Sequence, residues 1–114
     1  MQKNFTVSVI LPVYNSERYI GRCLRSLNRQ SLSKKNYEVV IIDDFSKDNS
    51  IAEIKKYSSK NIKLIKNSKN FGLVKSLNLG IKKARGSLIV RVDSDDWVHE
   101  DFLNILSTFL FINE

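Results

Sequence analysis

The sequence predicts an α/β fold, a mostly parallel sheet with helices on both faces, and three observations predict it. Four short apolar segments rich in β-branched residues (7–11, 38–42, 62–65 and 87–92) alternate with segments whose apolar residues recur at helical spacing. That order, β-α-β-α-β-α-β-α, implies right-handed crossovers between parallel strands. The second segment, Glu38-Val39-Val40-Ile41-Ile42, is almost unbroken in its apolar character, as a strand covered on both faces must be. Finally, polar or conformationally special residues directly follow three of the four strands: Pro12-Val13-Tyr14-Asn15, Asp43-Asp44, and Asp93-Ser94-Asp95-Asp96. Parallel strands would bring these endings to one edge, where such sheets bind ligands.

Taken in order, Val7-Ser8-Val9-Ile10-Leu11 is a strand that Pro12 should stop, because proline cannot donate to a ladder. Residues 16–30 place Tyr19, Ile20, Cys23, Leu24 and Leu27 on one helical face, with Asn15 or Ser16 as cap. After the second strand, Ser50 and Glu53 form a capping-box pattern in a helix that presents Ile51, Ile54 and Tyr57. Ile62-Lys63-Leu64-Ile65 is a short third strand, and residues 67–72 form a polar turn. Leu73, Leu77, Ile81 and Ala84 mark a third helix that ends near Gly86. Phe102, Leu103, Leu106, Phe109 and Leu110 mark the last helix, whose apolar end (Phe109, Leu110, Phe111, Ile112) is expected to be exposed and to promote self-association.

Composition narrows the classes. The chain has 114 residues, which predicts one domain, and 42% hydrophobic residues with one proline and four glycines exclude a disordered or collagen-like chain. Net charge is +7, which invites a nucleic-acid reading. Its distribution opposes that reading. Eight of the 12 acidic residues sit in two foci, Asp43, Asp44 and Asp48, then Asp93, Asp95, Asp96, Glu100 and Asp101, while lysines are spread elsewhere. An acidic edge would repel a phosphate backbone unless a cation intervened, so no nucleic-acid partner is expected. A lysine coat also suits weak attraction to anionic lipid. Cys23 is the only cysteine, so no internal disulfide forms, and its apolar helical position points to a core role. The opening residues show no apolar signal segment, and the stretch from Phe102 is too short to span a bilayer. The expected location is the cytoplasm, with peripheral association at the inner face of the membrane as an option.

The chemistry concentrates at strand ends. Asp93 and Asp95 are two carboxylates two residues apart after an apolar strand, and they can aim at one point if the backbone turns. Oxygen ligands of this kind suit Mg²⁺ or Mn²⁺ bridging to a diphosphate; a turn or helix cap would use the same residues. Asp44 can accept hydrogen bonds from a base or ribose, while Asp43, Ser46 or Asp48 caps the following helix. Pro12-Val13-Tyr14-Asn15 offers either an aromatic face and backbone groups or simply a strand stop. Asn70-Phe71-Gly72 is a turn or a phosphate-binding helix entry. Arg85 and Arg91 are candidates for phosphate contact, and His99 reads as a surface histidine.

Together these segments, with Ala84-Arg85-Gly86 between them, resemble the family 2 inverting glycosyltransferases of the GT-A fold, from about Val7 to Phe102. The resemblance implies a Rossmann-like nucleotide-binding sheet. It implies that Pro12, Tyr14 and Asn15 pack around the nucleotide base, that Asp44 holds the base, usually uracil, and that Glu17 helps orient the site. It also implies that Asp93 stands near the ribose or the metal, and that Asp95 binds Mn²⁺ or Mg²⁺ on the diphosphate. The implied partners are a nucleotide-sugar donor, a UDP-sugar by preference, and a glycan or lipid-linked acceptor. In this family the catalytic base and acceptor region lie after the segment seen here, and the chain stops one helix after Asp96. Residues 1–114 therefore read as the nucleotide-sugar-binding half of a truncated fold, with no base assigned. The alternative is a binding module without turnover. A receiver-like signalling domain is disfavoured because the first strand ends in Pro12-Val13-Tyr14-Asn15 rather than an acidic pair.

Overall fold

The computed structural model describes residues 5–112, with side chains as far as Phe109. Four strands, β1 (Phe5–Val13), β2 (Tyr37–Asp43), β3 (Ile62–Lys66) and β4 (Gly86–Arg91), alternate with α1 (Ile20–Asn28), α2 (Ser50–Lys55), α3 (Leu73–Lys83) and α4 (Phe102–Ile112). The sheet order is β3-β2-β1-β4 and every pairing is parallel. The switch in strand order beside β1 opens a crevice at the carboxyl edge.

Alternation along the strands sorts the core. Val7, Val9, Leu11 and Val13 of β1, with Tyr37, Val39 and Ile41 of β2, face α1, α2 and α4 through Ile20, Cys23, Leu24, Leu27, Ile54 and Leu103. Ile10, Val40 and Ile42 face α3 through Leu77 and Leu79. Fully burying one such aliphatic side chain contributes about 1.5–3 kcal/mol. Tyr37 is wholly buried and donates its hydroxyl to the Leu27 carbonyl at 2.7 Å, which ties β2 to the end of α1.

Two glycines set the spacing. A Cβ on Gly80 would come within 2.6 Å of Ile42 Cδ1 and 2.7 Å of Ile10 Cγ2, so its absence lets α3 lie close on the sheet. A Cβ on Gly86 would meet the Ser8 backbone nitrogen at 2.6 Å. There the Gly86 amide donates to Ser8 Oγ (2.7 Å), and the Ser8 hydroxyl and the Arg85 amide both donate to the buried Glu38 carboxylate, each at 2.6 Å.

Three local expectations are corrected. β1 does not stop at Pro12, which pairs in register with Ile42. At this end of β1 the Ile10 carbonyl accepts from Val92, so Pro12, two residues on, also faces β4, and the β4 pairing ends at Ile10. The missing N–H of Pro12 therefore falls beyond the ladder and costs no bond. Helix α1 begins at Ile20 after a turn, and neither Asn15 nor Ser16 caps it by a side chain, although the Ser16 carbonyl accepts from the Ile20 amide. The capping box does not form. Ser50 is the first residue of α2; its amide and hydroxyl donate to Asp48 Oδ1, while Glu53 pairs with Lys56. On α4, Ile105 is 63% exposed, and the expectations for the side chains of Leu110, Phe111 and Ile112 lie outside the described residues. Among the described residues no helix is long and apolar enough to cross a membrane.

Candidate functional site

Because β1, β2 and β4 run parallel, their carboxyl ends share one edge. The segments that follow them are stitched together by short polar side chains. Asn15 takes a left-handed backbone (φ 48°), which asparagine tolerates. Its amide donates to Ser46 Oγ (2.9 Å), and its side-chain carbonyl accepts from the Lys47 amide (2.8 Å). The Ser16 amide donates to Ser50 Oγ (2.7 Å), and the hydroxyls of Ser16 and Ser94 are 2.7 Å apart. The Glu17 amide donates to Asp48 Oδ2 at 3.2 Å. The ends of β1 and β2 and the loop after β4 are thus one framework.

The adjacent aspartates divide their work. Asp43 is buried and accepts from the amide and hydroxyl of Ser46 at 3.0 and 2.6 Å, closing the turn toward α2. Asp44 points the other way. Its Oδ1 accepts from Asn67 Nδ2 (2.9 Å) and the Phe71 amide (2.8 Å), and its Oδ2 from the Gly72 amide (3.0 Å). Burial pushes the Asp44 carboxyl up, but these hydrogen bonds outweigh it and hold the group below its ordinary range. Asp48 follows the same logic: burial raises it, and the Ser50 hydroxyl and amide and the Glu17 amide bring it below the usual value. The Asn70-Phe71-Gly72 entry to α3 is a turn with Gly72 at φ 93°, and two of its amides are directed at Asp44.

Above this edge lies a cavity of about 330 Å³, walled by Pro12, Val13, Tyr14, Asp44, Asn70, Gly72, Leu73, Ser76, Asp93 and Ser94. Of the residues predicted from sequence, Pro12, Tyr14, Asp44 and Asp93 line it; Tyr14 is 48% exposed and presents an open aromatic face. Asn15 and Glu17 stand outside the wall, and their backbones and the Asn15 side chain serve the framework beneath it. Asp95 is exposed just beyond the cavity and has no hydrogen bond or ion pair among the described residues. Asp93 accepts from Arg91 Nε at 2.8 Å, a solvent-exposed pair of small intrinsic strength. Arg91 therefore reaches the site through Asp93. Arg85 does not reach it, because its carbonyl accepts from Phe5 at the opposite edge of the sheet. His99 is exposed, and its Nδ1 accepts from the Asp101 amide. Among the described residues, His99, Glu100 and Asp101 are the three metal-capable groups that approach within 4.8 Å of one another; Asp93 and Asp95 belong to no such set.

Sequence reasoning missed Ser76, Leu73 and Ser94 as wall residues, and Ser16 as the link to Ser94. Serine and leucine on a helix or turn carry no distinctive signal. The spacing of Ser76 four residues after Gly72, on the first turn of α3, was the only available hint.

Comparison with known proteins agrees with this fold. The family model described as glycosyl transferase family 2 matches residues 8–111. The chain is 39% identical over 105 residues to the Staphylococcus aureus poly(ribitol-phosphate) beta-N-acetylglucosaminyltransferase TarS, covering 90% of this chain and 18% of that protein. It is 39% identical over 100 residues to a Bacillus spizizenii poly(ribitol-phosphate) beta-glucosyltransferase, covering 85% and 16%. The crystal structure of S. aureus TarS with UDP-GlcNAc superposes with a TM-score of 0.91 at 37% identity, over 95% of this chain and 32% of that one. The mannosyltransferase PcManGT from Pyrobaculum calidifontis, in complex with GDP-Man and Mn²⁺, gives 0.82 at 25% identity, over 91% and 32%. The chain spans under a fifth of the curated relatives described and about a third of each solved chain. With the family model spanning nearly its whole length and the parallel sheet matching solved members, the chain belongs to glycosyl transferase family 2.

Proposed function

We propose that this chain is the donor-binding part of a metal-dependent transferase that moves a sugar from a nucleotide diphosphate to an acceptor hydroxyl with inversion. The carrying observation is the cavity at the carboxyl edge, where Tyr14 offers an aromatic face and Asp93 a carboxylate, with Asp95 unengaged beside it. In this reading Pro12 and Tyr14 pack against the base. Asn15 and Glu17 hold the floor, and Asp44 fixes the wall while its remaining acceptor capacity meets the base. Uridine is the favoured base, because TarS has been solved with UDP and with UDP-GlcNAc.

The residues fit a divalent cation. Asp95 is exposed and unpaired among the described residues, Asp93 gives up only a surface pair, and both are hard oxygen donors suited to Mn²⁺ or Mg²⁺. Asp95 and Asp93 would hold the ion. Such an ion supplies charge that offsets the negative charge on the departing diphosphate. The acceptor is a glycan or lipid-linked hydroxyl compound; the TarS and B. spizizenii relatives are named for poly(ribitol phosphate).

A second reading, donor binding without turnover by this chain alone, has its own support. Asp44 and Asp93 are the carboxylates that line the cavity among the described residues, and each is engaged, by amide donors and by Arg91. Neither is poised to take a proton from an acceptor.

Calorimetric titration of UDP with and without Mn²⁺, beside Asp95→Ala, tests the donor site. Expected is saturable binding that needs the metal and falls at least about tenfold in D95A. Metal-independent binding of equal strength in both proteins would remove the assignment of Asp95. Nucleotide release from a UDP-sugar, measured on the same samples, separates turnover from binding.

A further inference from the structure

The solvent face of α1 carries a row of arginines. Arg22 and Arg25 of α1 are exposed, as are Arg18 in the turn before it and Arg29 at its C-cap, and at continued helical spacing the four would fall within an arc of about 60°. Four of the chain's six arginines stand on this row, while lysines, with Arg85 and Arg91, supply the basic charge over the rest of the sequence. Arginine, unlike lysine, presents a planar fork that matches phosphate.

The row faces a second wall. A groove of about 380 Å³ runs between α1 and the segment after Asp96, with Arg22, Arg25 and Arg29 on one side and Trp97, His99 and Glu100 on the other. Trp97 is 56% exposed, and the Arg22 guanidinium lies 5.2 Å from its ring centroid. Arg25 is steadied by donating Nη1 to the Tyr57 hydroxyl at 2.8 Å, a neutral partner that leaves its charge in place. Glu100 is the carboxylate lining this groove among the described residues, set against three guanidinium groups; Glu53 on neighbouring α2 is paired with Lys56. The groove also adjoins the donor site. Asp93 and Ser94 line the donor cavity, Trp97 lines the groove, and the Cys23 thiol of α1 lies 3.7 Å from the Asp93 carbonyl.

We propose that this groove docks a polymer of sugar or polyol units joined through phosphates. Arg22 and Arg29 are about 10 Å apart along the helix axis, a span that calls for repeated phosphates rather than one. An exposed indole face packs on the C–H surface of the units between them. The concave shape between helix and loop seats a chain, whereas a bilayer surface is flat. The polymer's role as acceptor rests on the transferase reading above, but docking can be measured without any donor.

Trp97 is the only tryptophan, so its fluorescence reports from the groove itself. A short synthetic glycerol-phosphate oligomer should change that fluorescence saturably, and uncharged dextran should not. Removing two charges from the row with Arg22→Gln and Arg29→Gln together should weaken the oligomer about tenfold and make its salt dependence shallower. Lys82→Gln with Lys83→Gln, which removes the same charge from exposed positions on α3, should leave binding unchanged. Equal loss in both double variants, no response from Trp97, or capture by phosphatidylglycerol vesicles in preference to the oligomer would each overturn the proposal. UDP binding with Mn²⁺, measured in parallel, keeps the two readings apart. Oligomer binding retained by a chain that never binds UDP would remove the transferase reading and leave the docking groove standing.

Discussion

The Asp44 carboxylate accepts from Asn67, Phe71 and Gly72, so an amide at this position would turn an NH2 donor toward an N–H group that needs an acceptor. Asp44→Asn should therefore lower stability by about 1–3 kcal/mol in urea unfolding at neutral pH. Equal stability would mean that the carboxylate does not hold the turn before α3. The acid response has a definite sign. Asp44 and Asp48 have folded pKa values below ordinary, so the unfolded chain takes up protons first as pH falls. Their contribution is complete above about pH 4, the unfolded carboxylate range, and is lost as pH drops toward the folded values. D44N should lose less stability than the unmodified chain between neutral pH and the acid side of that window. Asp43 and Asp44 were visible in the sequence as neighbours at a strand end. Which of them closes its own turn and which crosses to another loop depends on the direction each side chain takes at the end of β2.

At the scale of elements, the chain order of strands and helices and the buried face of α1 were legible because period-two and period-3.6 patterns record burial directly. Helix α3, by contrast, packs through Ser76, Leu77 and Gly80 and leaves the expected Leu73 and Ile81 exposed. Boundaries were less legible where one residue type serves two ends. Pro12 reads as a stop, yet its missing donor falls past the end of β4, a fact that depends on a partner strand far along the chain. Ser50 and Glu53 have capping-box spacing, but Asp48 reaches the Ser50 amide first. The two packing glycines separate in the same way. Gly80→Ala meets the ends of isoleucine side chains, so a cost of about 1–3 kcal/mol is partly offset by up to about 1 kcal/mol of helix propensity. Gly86→Ala meets the backbone of Val7 and Ser8, which cannot move without opening the Glu38 network. Thermal unfolding should show the larger loss for G86A; the reverse order would refute this account of close approach.

Across the whole molecule, the main core lies between β1–β2 and the layer of α1, α2 and α4, and Cys23 sits inside it with no exposed surface. Burial, reinforced by Asp96, Asp95 and Asp93 nearby, pushes its thiol up to about 12. A thiol held there stays protonated and unreactive at pH 8. Native protein should therefore label with a disulfide reagent only as fast as it opens, and labelling should accelerate through the same urea range as loss of helical signal. Prompt labelling without urea would place Cys23 outside a cooperative core.

The sequence by itself determined the α/β class, the parallel sheet, the three strand endings on one edge and the residue types gathered there, because hydrophobic period and strand-end chemistry are local properties. Tertiary structure alone decided that Asp44 organises the turn before α3, that Arg91 pairs with Asp93 while Arg85 lies at the far edge, and that Trp97 closes a groove against the arginines of α1. The physical reason is that a carboxylate, a guanidinium or an indole reads the same in any sequence. For Asp44 and Trp97 the partner is set by crossovers that bring residues dozens of positions apart within hydrogen-bonding or ring-contact distance, and for Arg91 it is set by the turn that follows β4.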